Sequence, residues 1–532
     1  MSVIILSGII LDLNEKEELL ADKAAVALMM AKDDIQELEI IRKTIDARRS
    51  RPPHFVYVLK ITLPSRVKLP QTLHKGLHIN VLDVRKTPQT ARVSQPPSPV
   101  VVIGSGPAGL FAAYILALRG NPPFILERGQ PIEKRVQDVE EFWKKGRLDL
   151  QSNVCFGEGG AGTFSDGKLT SRSGNPYSFW VKNILVEAGA PSEILVEAKP
   201  HIGTDNLRKV IVNLRKKLVD MGCMIKFNNQ VSDFLIEQDN IYGIMVNGKE
   251  EIKTNNVILA IGQSADDTYT KLYERGVKME AKPFAMGLRI EHPQELINSI
   301  QYGRWHRHSQ LPPAEYFVKA SLRDLNRSVY SFCMCPGGTI IGCSALHCSS
   351  ITNGMSNYQR SGEFANSAIV VNVRADDFAS GENPLAGLSY RQIWEEKAFI
   401  AGGSNYFAPA QKTTDFLSGK TSRIVRHTSF LPGVNQAALD EILPDFIIKA
   451  LKRAIREFDK TMRGFITEES HLVGVETRTS SPARICRNID GQSSGVRGLY
   501  PCGEGAGYAG GIISSALDGI NAAQNLMNNL AK

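Results

Sequence analysis

No stretch of about eighteen consecutive apolar residues occurs in this chain, so no segment is expected to cross a membrane as a helix. The eight cysteines are scattered over 532 residues without framework spacing. That excludes a disulfide scaffold and points to a reducing, cytoplasmic compartment. Two paired Cys-x-x-Cys knuckles are missing, as is any metal-binding helix motif, and no metal is expected. No Ser-His-Asp arrangement, internal repeat or low-complexity tract stands out. Residues 3–11 are apolar, but no positive charge precedes them and acids follow from Asp12 to Glu18, so a first strand is expected there rather than a signal peptide.

Excess charge is also scarce. The formal balance is +8, and the first 98 residues carry fifteen Lys and Arg against eleven Asp and Glu, partly in Arg48-Arg49-Ser-Arg51. Such a cluster reads first as a solvated loop and second as an RNA-binding surface. Hydrophobic residues at 42% and charged residues at 22% describe an ordinary globular protein, and the length calls for two or three domains.

Four segments follow from the pattern. Residues 1–95 read as a small α+β domain of ferredoxin-like type: a strand over 3–13, a helix from Asn14 as N-cap, then strands over 38–45 and 55–63. The prolines of Val93-Ser-Gln-Pro-Pro-Ser-Pro99 make an extended linker. Residues 96–282 and 466–532 form two parts of a Rossmann-like α/β domain. Residues 283–465, richer in aromatics and short strands, form an inserted mixed or antiparallel domain, with a helix expected over 436–459 from its spacing of apolar residues.

Val100-Val-Val-Ile-Gly104-Ser-Gly106-Pro107-Ala108-Gly109 reads as a buried strand turning into a helix, and Phe124-Ile-Leu-Glu127-Arg128 as a second strand ending in an acid. Gly104 makes the turn, Gly106 lets backbone N–H groups approach a pyrophosphate, and Gly109 packs the helix on the strand. Glu127 stands where a ribose hydroxyl needs an acceptor. Far downstream, Gly503-Glu504-Gly-Ala-Gly-Tyr-Ala-Gly510-Gly511-Ile512 repeats the logic of strand, glycines and helix N-terminus. A second cradle of this kind suits FAD, whose length spans both. A further Gly-x-Gly-x-x-Gly unit is missing, so no dedicated NAD(P)H domain is expected, although NAD(P)H can serve as a transient electron donor.

The run Gly157-Glu-Gly-Gly160-Ala-Gly162-Thr163-Phe-Ser165-Asp-Gly-Lys168, with Lys199-Pro-His-Ile-Gly203, Gly287-Leu-Arg289-Ile-Glu-His292, Phe332-Cys-Met-Cys-Pro-Gly-Gly338, Gly474-Val-Glu-Thr-Arg478 and the closing glycine motif, resembles the bacterial and plastid family of FAD-dependent (NAD(FAD)-utilising) dehydrogenases. The resemblance covers essentially the whole chain. It implies a flavoprotein of glutathione-reductase-type fold, with FAD held by Gly104, Gly106, Pro107, Ala108, Gly109, Glu127, Arg128, Gly160, Gly162, Thr163, Ser165, Lys168, Val231, Gly262, Gly503, Glu504, Gly510, Gly511 and Ile512. Cys502 stands where members of that family carry a small residue.

The expected activity is FAD-dependent hydride transfer to or from a small, anionic substrate bound between the sheet and the inserted domain. Lys168, Arg289, His292, Arg478 and Arg484 are the candidate catalytic or substrate-binding cations, each with an ion-pair or core alternative beside it. Cys333 and Cys335 share a strand face too widely spaced for a disulfide, so buried thiols are favoured over a dithiol centre. The other readings are an RNA-modifying or RNA-binding flavoprotein using the basic N-terminal domain, and a flavoprotein with a structural role.

Overall fold

The computed structural model describes residues 2–48, 51–67, 69–70, 76–81, 98–171, 175–378, 383–421 and 427–531. Most of the expected linker, from Val93 to residue 97, and the boundary at 95 lie outside the described residues.

The N-terminal unit contains β1 (Ser2–Asp12), α1 (Leu20–Leu28), β2 (Glu37–Asp46), β3 (His54–Leu63) and β4 (His78–Val81). Its sheet order is β2-β3-β1-β4, with antiparallel neighbours throughout. This is the ferredoxin-like strand order, with one α-helix among the described residues. Asn14 does not cap that helix: a turn and a 3-10 segment at Glu17–Leu19 intervene, and α1 starts at Leu20. Glu15 pairs outward with Lys23 and Glu17 with Lys43, and Leu20 is the first core residue of the helix.

The nucleotide-binding unit begins with β5 (Val100–Ile103), α2 (Pro107–Leu118), β6 (Phe124–Leu126), α3 (Ile132–Lys145), α4 (Tyr177–Glu187), α5 (Thr204–Asp220) and β7 (Met224–Lys226). A three-stranded antiparallel sheet follows, β8 (Val231–Glu237), β9 (Asn240–Val246) and β10 (Glu250–Lys253), and then β11 (Asn256–Leu259) and α6 (Asp266–Glu274). β5 is apolar throughout because both its faces are covered. Val100 and Val102 face α2 and the C-terminal helix, while Val101 and Ile103 face Phe234 and Ile244 of the small sheet.

The inserted unit comprises β12 (Met279–Ala281), β13 (Phe284–Pro293), α7 (Gln294–Tyr302), β14 (Lys319–Leu322), β15 (Arg327–Gly342), β16 (Thr352–Met355), β17 (Phe364–Val373), α8 (Ala386–Ala401), β18 (Ala408–Lys412), α9 (Thr413–Ser418), β19 (Val434–Gln436), α10 (Asp445–Thr461) and β20 (His471–Glu476). Its large mixed sheet runs β14-β15-β17-β13-β20-β18-β19, with β16 beside β15, so the sheet extends through Glu476 rather than ending near 465. The helix expected over 436–459 starts only at Asp445. Pro444 disfavours helical geometry at Leu443, and residues 439–441 form a separate 3-10 turn. β12 pairs with β21 (Ala483–Ile485), and the chain returns to the first sheet through β22 (Leu499–Pro501) and α11 (Ile512–Leu530). The parallel sheet is β22-β11-β5-β6-β7.

The three units touch. Trp143 of α3 donates from Nε1 to the Gly342 carbonyl at 2.9 Å, joining the nucleotide unit to the end of β15. Lys43 of β2 exchanges backbone hydrogen bonds with residues 196 and 198. No helix among the described residues is long and apolar enough to cross a membrane.

Candidate functional site

At the carboxyl ends of β5, β6, β11 and β22 lies a cavity of about 480 Å³, roofed by residues of β15 and β16. Its position outside the C-terminal edge of a parallel sheet is where open α/β folds bind nucleotides.

The floor is set by two glycines. Gly104 has φ +99°, and a Cβ there would stand 2.4 Å from the Ala260 carbonyl oxygen. Gly109 lies beneath the cavity wall, and a Cβ on it would come within 1.9 Å of the Gly104 oxygen. Both side chains must be hydrogen for α2 to aim its N-terminus into the space.

Glu127 lines the cavity with a carboxylate that is already engaged. Oε2 accepts from Ser105 N–H at 2.9 Å and Ser105 Oγ at 2.7 Å; Oε1 accepts from the Gly129 and Gly157 N–H groups, each at 3.0 Å. The acid thus ties the first glycine turn to the glycine-rich run. Arg128 stacks on Phe156 at 4.3 Å and pairs with Asp267.

The glycine-rich run is held by Arg135, which is fully buried and absent from the expected set. It donates to the carbonyls of Asn153, Val154, Glu158 and Gly160 at 2.6–3.0 Å. A polar run cannot fold inward without such a donor, because its carbonyls would be buried unpaired. Thr163 sits within this scaffold, off the cavity, while Gly160, Gly162, Ser165 and Lys168 line it.

At the opposite end, Gly503, Glu504, Gly510, Gly511 and Ile512 border the cavity with Val231 and Gly262, alongside Gly106, Pro107 and Ala108 from the first motif. A Cβ on Gly262, Gly510 or Gly511 would meet nothing within 4 Å, so the space above this edge is open. Gln263 reaches across it, donating from Nε2 to Glu504 Oε1 at 2.8 Å and to the Arg478 carbonyl at 2.7 Å. Burial raises the Glu504 carboxyl to about 7.

Two of the five candidate cations line the cavity. Lys168 pairs with Asp166 at 3.0 Å and donates to the Met334 carbonyl, and Arg360 completes the Asp166 pair. Arg478 is locked by Glu395 and leaves Nη1 without a hydrogen-bond partner among the described residues. The others lie elsewhere. Arg289 is fully buried against Glu476 at 2.8 Å. His292 is a core residue whose Nε2 meets the Phe465 carbonyl at 2.8 Å, and burial lowers its pKa to about 4. Arg484 pairs with Glu280 at the surface and packs on Tyr508.

Four cysteines also line the cavity: Cys155, Cys333, Cys343 and Cys502. Among the described residues, no cluster of three or more His, Cys, Asp or Glu is placed to hold a metal ion.

Residues 283–479 match the family described as "FAD-dependent protein, C-terminal domain-like", and residues 4–62 match a domain of unknown function, DUF8436. By that match the protein is a FAD-dependent flavoprotein, and the cavity, with a glycine turn and helix N-terminus at each end, suits FAD as its cofactor. An uncharacterised protein of Clostridium beijerinckii is 42% identical over 528 residues, covering 98% of each chain, and this chain belongs to the same family. Among solved structures, the flavin-dependent brominase Bmp2 is 14% identical, with 82% of this chain and 80% of that one covered and a TM-score of 0.36. The glycerol-3-phosphate dehydrogenase of Bacillus halodurans, complexed with FAD, is 10% identical, with 81% and 65% covered and a TM-score of 0.34.

Proposed function

We propose that the protein is a FAD-dependent dehydrogenase passing a hydride between the flavin and a small anionic substrate held beneath the cap sheet. The observation that carries the substrate class is Arg478, a cavity-lining residue whose buried Nη1 has no hydrogen-bond partner among the described residues. A buried donor left unmatched is costly, and a ligand oxygen removes that cost. Glu395 occupies the remaining face of the guanidinium and fixes its direction.

FAD supplies two-electron hydride chemistry when bound. Gly104, Gly106 and the start of α2 would hold its pyrophosphate, and Gly503 to Ile512 its ribityl and ring end. Arg478 orients the anionic group of the substrate. Lys168, held by Asp166, adds positive charge on the same wall. Glu504 can hold or release a proton at its carboxyl near neutral pH, because burial has moved its titration there. Residues of β15 and β16 cover one side of the cavity.

The basic N-terminal segment favours no RNA reading: Lys43 pairs with Glu17, and Arg48 and Arg51 both pair with Asp46. The test is anaerobic reduction of the purified flavoprotein by a panel of small carboxylates, phosphates and neutral analogues, with NADH and NADPH included as donors. Bleaching of the flavin band by an anionic donor, with its KM raised in Arg478→Lys, supports the reading. Bleaching by neutral donors alone overturns the substrate class, and lack of bound flavin overturns the whole reading.

A further inference from the structure

Cys155 and Cys343 are separated by 188 positions and come from different units, yet they meet at the cavity. Cys155 lies between α3 and the glycine-rich run; Cys343 directly follows β15. Cys155 Sγ donates to the Cys343 carbonyl at 3.4 Å. Both backbones are anchored. Cys155 N–H reaches Asn153 Oδ1 at 2.9 Å, and Cys343 N–H reaches the Ile351 carbonyl at 2.9 Å.

We propose that Cys155 and Cys343 form a redox-active dithiol, a second chemical site on the cavity wall, which an organic disulfide oxidises to a Cys155–Cys343 disulfide. The pair is chemically unequal. Hydrogen bonding from Cys343, with Arg478 and Ser264 nearby, pulls the Cys155 thiol below its ordinary range; the same hydrogen bond and burial push Cys343 up. Cys155 is half-buried and Cys343 buried, so Cys155 is the attacking thiol, reacting as its thiolate, and Cys343 the resolving one.

Cys155 thiolate attacks one sulfur of the disulfide, forming a mixed disulfide and expelling a thiolate. Cys343 gives up its proton to that thiolate and attacks the Cys155 sulfur, forming the intramolecular bond and expelling the second thiolate. The protein loses two electrons and the disulfide gains them.

Cys333 and Cys335 are the competing pair. Only Cys333 lines the cavity; Cys335 is fully buried, with its thiol turned onto the Cys333 carbonyl at 3.3 Å. A disulfide reagent entering from the cavity meets both members of the first pair and one member of the second.

The test uses the purified holoprotein and glutathione disulfide as the probe, with acid quenching, alkylation and peptide mass mapping. The expected result is loss of two of the eight alkylatable thiols and appearance of a Cys155–Cys343 linked peptide. In Cys343→Ser a stable glutathione adduct is expected on Cys155, and in Cys155→Ser Cys343 stays unmodified. Eight free thiols after incubation, or a Cys333–Cys335 link in place of the expected one, overturns the proposal. Flavin absorbance read on the same samples reports separately on the hydride-transfer reading, which can fail while the linked peptide still forms.

Discussion

Arg478 grips Glu395 through two hydrogen bonds, Nε to Oε1 at 3.2 Å and Nη2 to Oε2 at 3.0 Å, and its third nitrogen has no hydrogen-bond partner among the described residues. Thr477 donates to the same carboxylate at 2.7 Å, so the acid has little freedom to rotate. This pair places a fixed cation on the cavity wall, and its two members have different expected phenotypes.

Arg478→Lys keeps the charge but loses the planar fork. Loss of one charge-assisted hydrogen bond, worth about 1.5–3 kcal/mol, corresponds to a rise in KM of roughly 10- to 100-fold for an anionic donor. Steady-state flavin reduction measures it, and kcat should change less than KM. Glu395→Ala instead leaves a buried guanidinium without its counter-charge, costing about 3–5 kcal/mol of stability. Denaturant unfolding of the same two variants separates the effects.

Glu504 gives a pH prediction with a definite sign. Its carboxyl is raised by burial from 4.5 to about 7, so between those values the folded protein binds more protons than the unfolded chain. The contribution of Glu504 to stability is therefore greatest at low pH and is lost as pH rises through about 7. Allowing for partial exposure, up to about 2 kcal/mol is involved. In the apoprotein, Glu504→Gln should flatten the dependence by that amount, read as the difference between urea midpoints at pH 5 and pH 8. An unchanged slope places the titration elsewhere, with Glu158 and Glu291 next in line.

His292 has the opposite sign. Burial lowers its pKa from 6.5 to about 4, so the unfolded chain binds the extra proton first. Its contribution is intact above about 6.5 and is lost as pH falls towards 4, by on the order of 3 kcal/mol. His292→Leu should be less sensitive to acidification over that window than the native chain, even though it forfeits the hydrogen bond to Phe465. Flavin reduction at neutral pH should respond little, because His292 lies in the core of the cap unit rather than on the cavity.

How far the chain could be read in advance follows from distance along it. The β5-α2-β6 cradle was legible because strand, glycines, helix and Glu127 lie within 28 consecutive residues, Val100 to Glu127. The ferredoxin-like type was legible from β1, α1, β2 and β3, whereas β4 and the strand order came only with the structure. β13 misled: all of Phe284 to His292 is buried, so its charged residues point into covered faces and are met from other elements, Arg289 by Glu476, Glu291 by Ser429 and His292 by the Phe465 carbonyl. Arg289 meets Glu476 from β20, a partner 187 positions away that no local spacing announces. The same holds for Cys155 and Cys343, and for Arg135, whose role is written only in the carbonyls it gathers.

Gly109 provides the most direct test of the cradle. It lies under the cavity rather than in it, so its replacement touches no ligand atom, yet a methyl group there would stand 1.9 Å from the Gly104 carbonyl oxygen. That oxygen belongs to backbone at the end of β5 and has no side-chain freedom with which to yield. Relief requires α2 to move away from β5, carrying Gly106 and the helix N-terminus with it. Such overpacking costs about 1–3 kcal/mol, which the fold survives. Gly109→Ala should therefore purify as a folded protein with a lowered melting temperature and with its flavin-to-protein absorbance ratio reduced at least tenfold. Retention of stoichiometric FAD would show that the pyrophosphate is not held by the α2 N-terminus, and the cofactor position drawn from the two glycine motifs would fall with it.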